Sequence, residues 1–146
     1  MKILVFGMSS LRGGVESFIH SYTSNFSEAV QIDYIAPLES IPYEEEFKKR
    51  GSKVFHIPSR RSNLKKHKEL LNKIFEENNY DVVWSNLVTL SSVEFLEIAH
   101  KHNVPVRIVH SHNNQNMGNA ISKIMHKLNS YKLGAIATDY WACSQD

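Results

Sequence analysis

The 146-residue chain contains six short apolar segments. Between one apolar segment and the next lies a stretch whose apolar residues recur at helical spacing. Each apolar segment has the length of a buried strand. The predicted strands are residues 2–7, 30–36, 53–57, 81–85, 106–110 and 140–143, and the predicted helices are residues 14–26, 43–50, 64–75, 90–102 and 121–134. Strict alternation predicts right-handed βαβ units, and therefore a parallel sheet with helices on both faces.

This alternation also indicates where a ligand would bind. In a doubly wound sheet, ligands lie beyond the carboxyl ends of the strands, where the strand order reverses. We predict one α/β domain over residues 1–146, a Rossmann-like three-layer α/β/α fold with a parallel sheet ordered 3-2-1-4-5-6. The predicted ligand-binding segments are the loops after the strands, residues 8–14, 58–63, 86–89, 111–116 and 144 onward.

Charge, cysteine content and hydropathy restrict the partners and the compartment. The net charge is only +2, so a local group of residues would have to meet an anionic partner. A single cysteine, Cys143, excludes an internal disulfide and favours the cytoplasm. No apolar run approaches the roughly 20 residues of a membrane-spanning helix. Any membrane contact is therefore expected to be peripheral, at the inner face of the membrane.

The last predicted strand ends three residues before Asp146, at the ligand-binding edge of the sheet. A doubly wound domain normally continues from that edge into a covering helix. We therefore expect these residues to be the amino-terminal part of a longer protein, with the second domain absent from this chain. A small domain that ends on an edge strand is the alternative.

The loop after the first predicted strand contains Gly13 and Gly14, directly before a helix. Free backbone N–H groups and the positive end of the helix dipole make such a helix start receptive to phosphate. The spacing matches neither common nucleotide motif, because Val15 replaces the Walker lysine and Ser9 replaces the second glycine of G-x-G-x-x-G. The alternative is a glycine pair needed only for a tight turn. Glu16, in the first helical turn, either stabilises the helix start or hydrogen-bonds a ligand hydroxyl.

Two histidines, His110 and His112, stand at the end of the fifth predicted strand, followed by Asn113. Residues two apart in an extended segment share a face. We expect His110 in the core and His112 in an exposed polar loop, where a neutral imidazole exchanges hydrogen bonds with a ligand. Zinc needs three or four ligands, and Cys143 is distant along the chain, so no metal site is predicted. A metal hydrolase built on the two histidines is an open alternative.

Basic residues follow the third predicted strand and open onto the same edge. Arg60 and Arg61 precede a helix that begins with several lysines. With Arg12 of the glycine loop, they are candidate contacts for an acceptor, a phosphate or anionic lipid head groups. A solvated helix face is the alternative. No aromatic residue is interleaved with them, so nucleic acid is not a predicted partner.

Four segments together resemble the amino-terminal domain of family-four glycosyltransferases of the GT-B type, in particular the bacterial enzymes of capsule and exopolysaccharide assembly. These enzymes have two facing Rossmann-like domains. The matching segments, in the family's order, are residues 2–6 with 13–16, residues 81–86, residues 108–113 and residues 142–144. They span nearly the whole chain.

The resemblance implies that a nucleotide-sugar donates its sugar, with retention, to a glycan or lipid-linked acceptor in polysaccharide biosynthesis. The amino-terminal domain would bind the acceptor, and the carboxy-terminal domain would bind the nucleotide. Half of the cleft would then be missing, so the isolated chain is expected to be inactive. No cofactor or metal is implied beyond the nucleotide-sugar. The alternative is a stand-alone Rossmann-like or flavodoxin-like binding or regulatory module.

The resemblance also implies roles for individual residues. Gly13 and Gly14 would face the donor diphosphate, with Glu16 nearby. His112 would be the catalytic residue next to the transferred sugar, and the substrate-binding residues would include His110 and Asn113. Relatives often carry a histidine after the fourth strand, and this chain has Asn86 there instead; the role of that position is left open.

Overall fold

A computed structural model describes residues 1–90, 92–112 and 120–143, and it confirms the predicted fold class. The strands are β1 (Lys2–Phe6), β2 (Gln31–Ala36), β3 (Val54–His56), β4 (Val82–Leu87), β5 (Val106–Ser111) and β6 (Asp139–Ala142), and the helices are α1 (Gly14–Thr23), α2 (Glu44–Lys49), α3 (Leu64–Glu77), α4 (Glu94–Lys101) and α5 (Ala120–Ile136). The six strands form one parallel sheet in the order β3-β2-β1-β4-β5-β6. The predicted strand order is therefore confirmed.

Alternate residues of the central strands supply two apolar cores, one on each face of the sheet. On β1, Leu4 packs in the core that α3, α4 and α5 cover. Ile3 and Val5 pack in the opposite core, which α1 and α2 cover. Two separate cores with a sheet between them make the three layers of the predicted α/β/α arrangement.

Helix ends follow the signals that the sequence carries. The Asn63 side chain accepts a hydrogen bond from the Lys66 backbone N–H at 2.9 Å, and so caps α3. Gly51 follows α2 with φ of +84°, the left-handed conformation that glycine adopts without strain after a helix. Within the described part of the chain, no helix combines the length and the apolar character needed to cross a membrane.

Strands β4 and β5 continue beyond their predicted ends. They pair in register from Val82 opposite Val106 to Leu87 opposite Ser111, so backbone hydrogen bonds extend both strands past their apolar runs. Asn86, predicted to lie in a loop, is therefore part of β4. Helix α4 begins at Glu94, several residues later than predicted.

Candidate functional site

The candidate site begins where β1 leaves the sheet at Gly7. This residue has φ of +110°, and a Cβ atom built on it would lie 2.0 Å from the backbone oxygen of Asn86. The chain thus passes directly against β4 as it turns out of the sheet. Only glycine fits both the conformation and the space.

Glu16 fills the interior of the loop between β1 and α1. Its side chain is buried, and its Oε1 accepts a hydrogen bond from the Ser9 backbone N–H at 2.7 Å. Burial alone would raise the pKa of this carboxyl, but hydrogen bonds from the backbone N–H groups of Ser9, Glu16 and Gly13 lower the pKa below its ordinary value. The Glu16 carboxylate is therefore bound by backbone groups of the loop and of the start of α1. Contact with a ligand stays a prediction.

The two neighbouring glycines of this loop differ in their surroundings. A Cβ atom on Gly13 would lie 2.9 Å from Oε2 of Glu16, so an alanine there would require this buried carboxylate to shift. A Cβ atom on Gly14 would meet no described atom within 4 Å. Packing within the described protein therefore restricts position 13 and leaves position 14 open. The space beside Gly14 is open at the first residue of α1, on the predicted ligand-binding edge.

The two histidines share one face of the sheet, beneath α1. Their ring centroids are 4.2 Å apart, Trp84 stacks on His110 at 5.9 Å, and Phe18 of α1 meets both imidazoles edge-on. His110 is 4% exposed, so its predicted place in the core is confirmed. His112 lies just past the end of β5, as predicted, but the prediction that it is exposed is wrong, because its side chain is half-buried between Asn86 of β4 and Cys143, which follows β6. Asn113 lies outside the described residues.

Asn86 holds the ring of His112 in one orientation. The amide is buried, its Nδ2 donates to the Phe6 carbonyl at 3.3 Å, and its Oδ1 accepts from His112 Nε2 at 2.8 Å. With Nε2 as the donor, the Nδ1 atom of His112 carries the lone pair. Asn86 thus sets the tautomer of His112.

Cys143 lies against both histidines, which the sequence argument did not anticipate. Strands β5 and β6 are parallel with Ser111 opposite Ala142, so the next residues, His112 and Cys143, are level. The Sγ atom lies 3.2 Å from His112 Nδ1 and 3.5 Å from His110 Nε2. Among the described residues, these three form a group whose ligand atoms all lie within 4.8 Å of one another, as metal ligands do.

The surroundings keep both imidazoles neutral. Burial and the neighbouring His112 lower the pKa of His110 to about 4. Burial also lowers the pKa of His112, although the Glu16 carboxylate opposes this effect. A neutral imidazole has one nitrogen that donates and one that accepts a hydrogen bond or binds a metal. The pair is therefore suited to polar recognition or metal ligation at physiological pH, and not to carrying charge.

The three candidate arginines stand in different environments. Arg12 is exposed, and its guanidinium lies over the Tyr43 ring, 4.6 Å from the centroid. Arg60 pairs with the buried Glu94 through Nε, 2.9 Å from Oε2. Arg61 is exposed on the loop before α3. Arg60 is thus engaged within the protein, and contacts of all three with an acceptor or a phosphate stay predictions.

Comparison with known proteins gives a likeness in structure and none in sequence. No family model matches the chain, and no curated protein matches it at a significant level. Among solved structures, the chain is similar to HepE of Anabaena in complex with UDP-glucose, with a TM-score of 0.63 and 15% identity over 99% of this chain and 38% of HepE. HepE in complex with UDP and glucose gives a TM-score of 0.60 at 14% identity, over 96% of this chain and 37% of that one. The likeness shows a shared Rossmann-like fold, and the chain spans a little over a third of HepE.

Proposed function

We propose that this chain is the acceptor-side, amino-terminal domain of a retaining GT-B glycosyltransferase of family four. The enzyme would transfer a sugar from a nucleotide-sugar to a glycan or lipid-linked acceptor in bacterial polysaccharide biosynthesis. The observation that carries the proposal is the likeness of 99% of the chain to a protein solved with UDP-glucose. Because that likeness covers 38% of HepE, we propose a second domain that binds the nucleotide in the complete enzyme.

The chemistry of sugar transfer fits the residues at the sheet edge. As the glycosidic bond to the diphosphate breaks, positive charge develops on the sugar and negative charge on the leaving group. The N–H groups at the start of α1, beside the open space at Gly14, would stabilise that anion. His112, held by Asn86, would orient the sugar through its ring or its backbone carbonyl. No cofactor beyond the nucleotide-sugar enters this scheme.

The setting follows from the substrates. Nucleotide-sugars are cytoplasmic, and lipid-linked acceptors lie at the inner face of the membrane, so we place the reaction there. Arg12 and Arg61, both exposed, are the residues that would contact an anionic acceptor. The proposal includes no nucleic-acid partner.

The proposal is tested with the full-length protein and a panel of nucleotide-sugars, measuring nucleotide release with and without acceptor glycans. We expect turnover that His112→Ala lowers by roughly 10²–10³ in kcat, because the variant loses the ring that contacts the reacting sugar or holds the backbone carbonyl beside it. The matched control is His100→Gln, an exposed histidine of α4 outside the site. His112→Ala also leaves the buried Asn86 Oδ1 without this hydrogen-bond partner, which lowers the free energy of unfolding by about 1–3 kcal/mol. Rates are therefore measured well below the melting temperature of the variant.

Two results would contradict the proposal. The first is an absence of nucleotide-sugar binding and turnover in the folded full-length protein. The second is a folded His112→Ala variant that turns over like the wild type. Tight nucleotide-sugar binding without transfer to any acceptor would favour the alternative, a binding or regulatory module.

A further inference from the structure

We infer that His110, His112 and Cys143 form a binding site for a borderline-soft divalent cation, with Zn²⁺ as the natural occupant. The Cys143 Sγ atom lies 3.5 Å from His110 Nε2 and 3.2 Å from His112 Nδ1. A tetrahedral zinc ion with ordinary Zn–S and Zn–N bonds keeps such ligand atoms about 3.4–3.6 Å apart. The two sulfur–nitrogen distances are thus near the spacing that the ion requires, and all three ligand atoms lie within 4.8 Å of one another.

The donor set selects the class of cation. One thiolate and two imidazoles are the ligands that zinc prefers, whereas magnesium and calcium prefer oxygen ligands. The sequence argument against a metal counted only residues close along the chain. The parallel pairing of β5 with β6 supplies the third ligand, Cys143, which follows the last paired residue of β6.

Asn86 provides the outer support that metal-binding histidines have. Such a histidine usually donates its second ring N–H to a carbonyl or carboxylate oxygen, which fixes the ring and its tautomer. Here His112 Nε2 donates to Asn86 Oδ1 at 2.8 Å, and this leaves Nδ1 directed at the Cys143 sulfur. The amide is itself buried and anchored to the Phe6 carbonyl, so the arrangement is built into β4.

His110 supplies an independent observation. Its side chain is 4% exposed, and its Nδ1 atom has no hydrogen-bond partner among the described residues. The other ring nitrogen, Nε2, faces the Cys143 sulfur at 3.5 Å and is the atom that would bind a cation. A neutral imidazole that binds a cation through Nε2 carries its proton on Nδ1.

With three protein ligands, zinc keeps a fourth position for water or for an oxygen atom of a bound ligand. The ion would also join β5 to the edge strand β6, whose residues are exposed. This inference does not rest on the proposed function, because the three side chains would bind zinc whether or not the protein transfers a sugar. With Nδ1 on the ion and Nε2 on Asn86, His112 would orient a sugar through its backbone carbonyl.

The test uses the purified protein, stripped with a chelator and titrated with Zn²⁺ and Co²⁺ in the absence of any nucleotide-sugar. Elemental analysis gives the bound metal, and absorbance reports a thiolate-to-cobalt charge-transfer band. We expect one equivalent of metal in the wild type, loss of the band in Cys143→Ser, and loss of stoichiometric binding in His110→Gln. His100→Gln, an exposed histidine away from the cluster, should retain both.

A second measurement needs no variant. Cys143 is the single cysteine and is exposed, so an alkylating reagent reports on one thiol. Bound Zn²⁺ should slow its alkylation at least about tenfold, because the thiolate becomes a metal ligand, and Mg²⁺ should not. The inference is overturned if the wild type binds no zinc, if Cys143→Ser binds it equally well, or if zinc leaves the alkylation rate unchanged. Because no nucleotide-sugar is present, these outcomes are independent of the transferase assay.

Discussion

Replacing Gly14 by alanine tests whether this glycine is required by the fold or by a bound ligand. Gly14 is the first residue of α1, and an added Cβ atom would meet no described atom within 4 Å. Alanine should therefore stabilise the fold by about 0.4–1 kcal/mol, because it restricts the unfolded chain. For a domain of this size, that gain raises Tm by about 1–4 °C.

The same substitution should weaken binding of the donor. If the diphosphate approaches the α1 N-terminus, the new methyl group displaces it from a backbone N–H group. Loss of one hydrogen bond to a charged group costs about 1.5–3 kcal/mol, which corresponds to a roughly 10- to 150-fold weaker Kd. Thermal melts, and calorimetric titration with the nucleotide-sugar that the full-length protein binds best among the panel, measure the two effects separately.

Gly134 offers a matched control for this experiment. It lies within α5, where an added Cβ atom would also meet no described atom within 4 Å. Gly134→Ala should therefore stabilise the protein and leave the Kd for that nucleotide-sugar unchanged. The reasoning is refuted if Gly14→Ala is stabilised and binds the nucleotide-sugar as tightly as Gly134→Ala, since the open space at Gly14 would then have no part in donor binding.

Three further substitutions test the geometry of the site. Gly7→Ala should lower the free energy of unfolding, measured by urea titration, by at least about 2 kcal/mol. The reason is that φ is +110° and that a Cβ atom would lie 2.0 Å from the Asn86 backbone oxygen. A variant as stable as the wild type would contradict that close approach. The pKa of Glu16 is below its ordinary value, so its ionised form stabilises the fold above about pH 4.5, and this stability is lost as the pH falls through the folded pKa. The stability difference between the wild type and Glu16→Gln should therefore shrink from about pH 6 to about pH 3. A difference that stays constant over this range would argue against a role for the charge. His110→Ala should cost more stability than His112→Ala, because His110 is 4% exposed and packs on Trp84; equal melting temperatures would show that burial does not distinguish them.

The strand order could be predicted because it depends on features that a single sequence carries. Six apolar runs separated by helical patterns require crossover connections, and these are right-handed almost without exception. Boundaries were less predictable, because they depend on pairing between strands. Asn86 is polar and follows an apolar run, so periodicity placed it in a loop, whereas hydrogen bonds between β4 and β5 continue to Leu87. The residue that orients His112 was therefore left without a role.

Cys143 shows a second limit of sequence reasoning. Cys143 contacts His112, 31 residues earlier, because of the register between β5 and β6. All four residues of β6 are exposed, and a strand without a buried face has no hydrophobic pattern that fixes its register. The same register makes the predicted loop residue His112 half-buried. The position of the glycine loop could be predicted, since Gly13 and Gly14 lie at the start of α1 as expected. That the Glu16 carboxylate fills the loop could not be predicted, because this depends on the folded path of the chain.

The two halves of the candidate site are connected by side chains across four strands. Gly7 allows β1 to pass against Asn86, whose amide joins the Phe6 carbonyl to the ring of His112. His112 in turn contacts the Cys143 sulfur after β6. We therefore expect a change at the exit of β1 to alter the orientation of His112, although the glycine loop and the histidines lie far apart in sequence. Because buried hydrogen-bonded groups act together, the effects of substitutions at Gly7, Asn86 and His112 should not be additive.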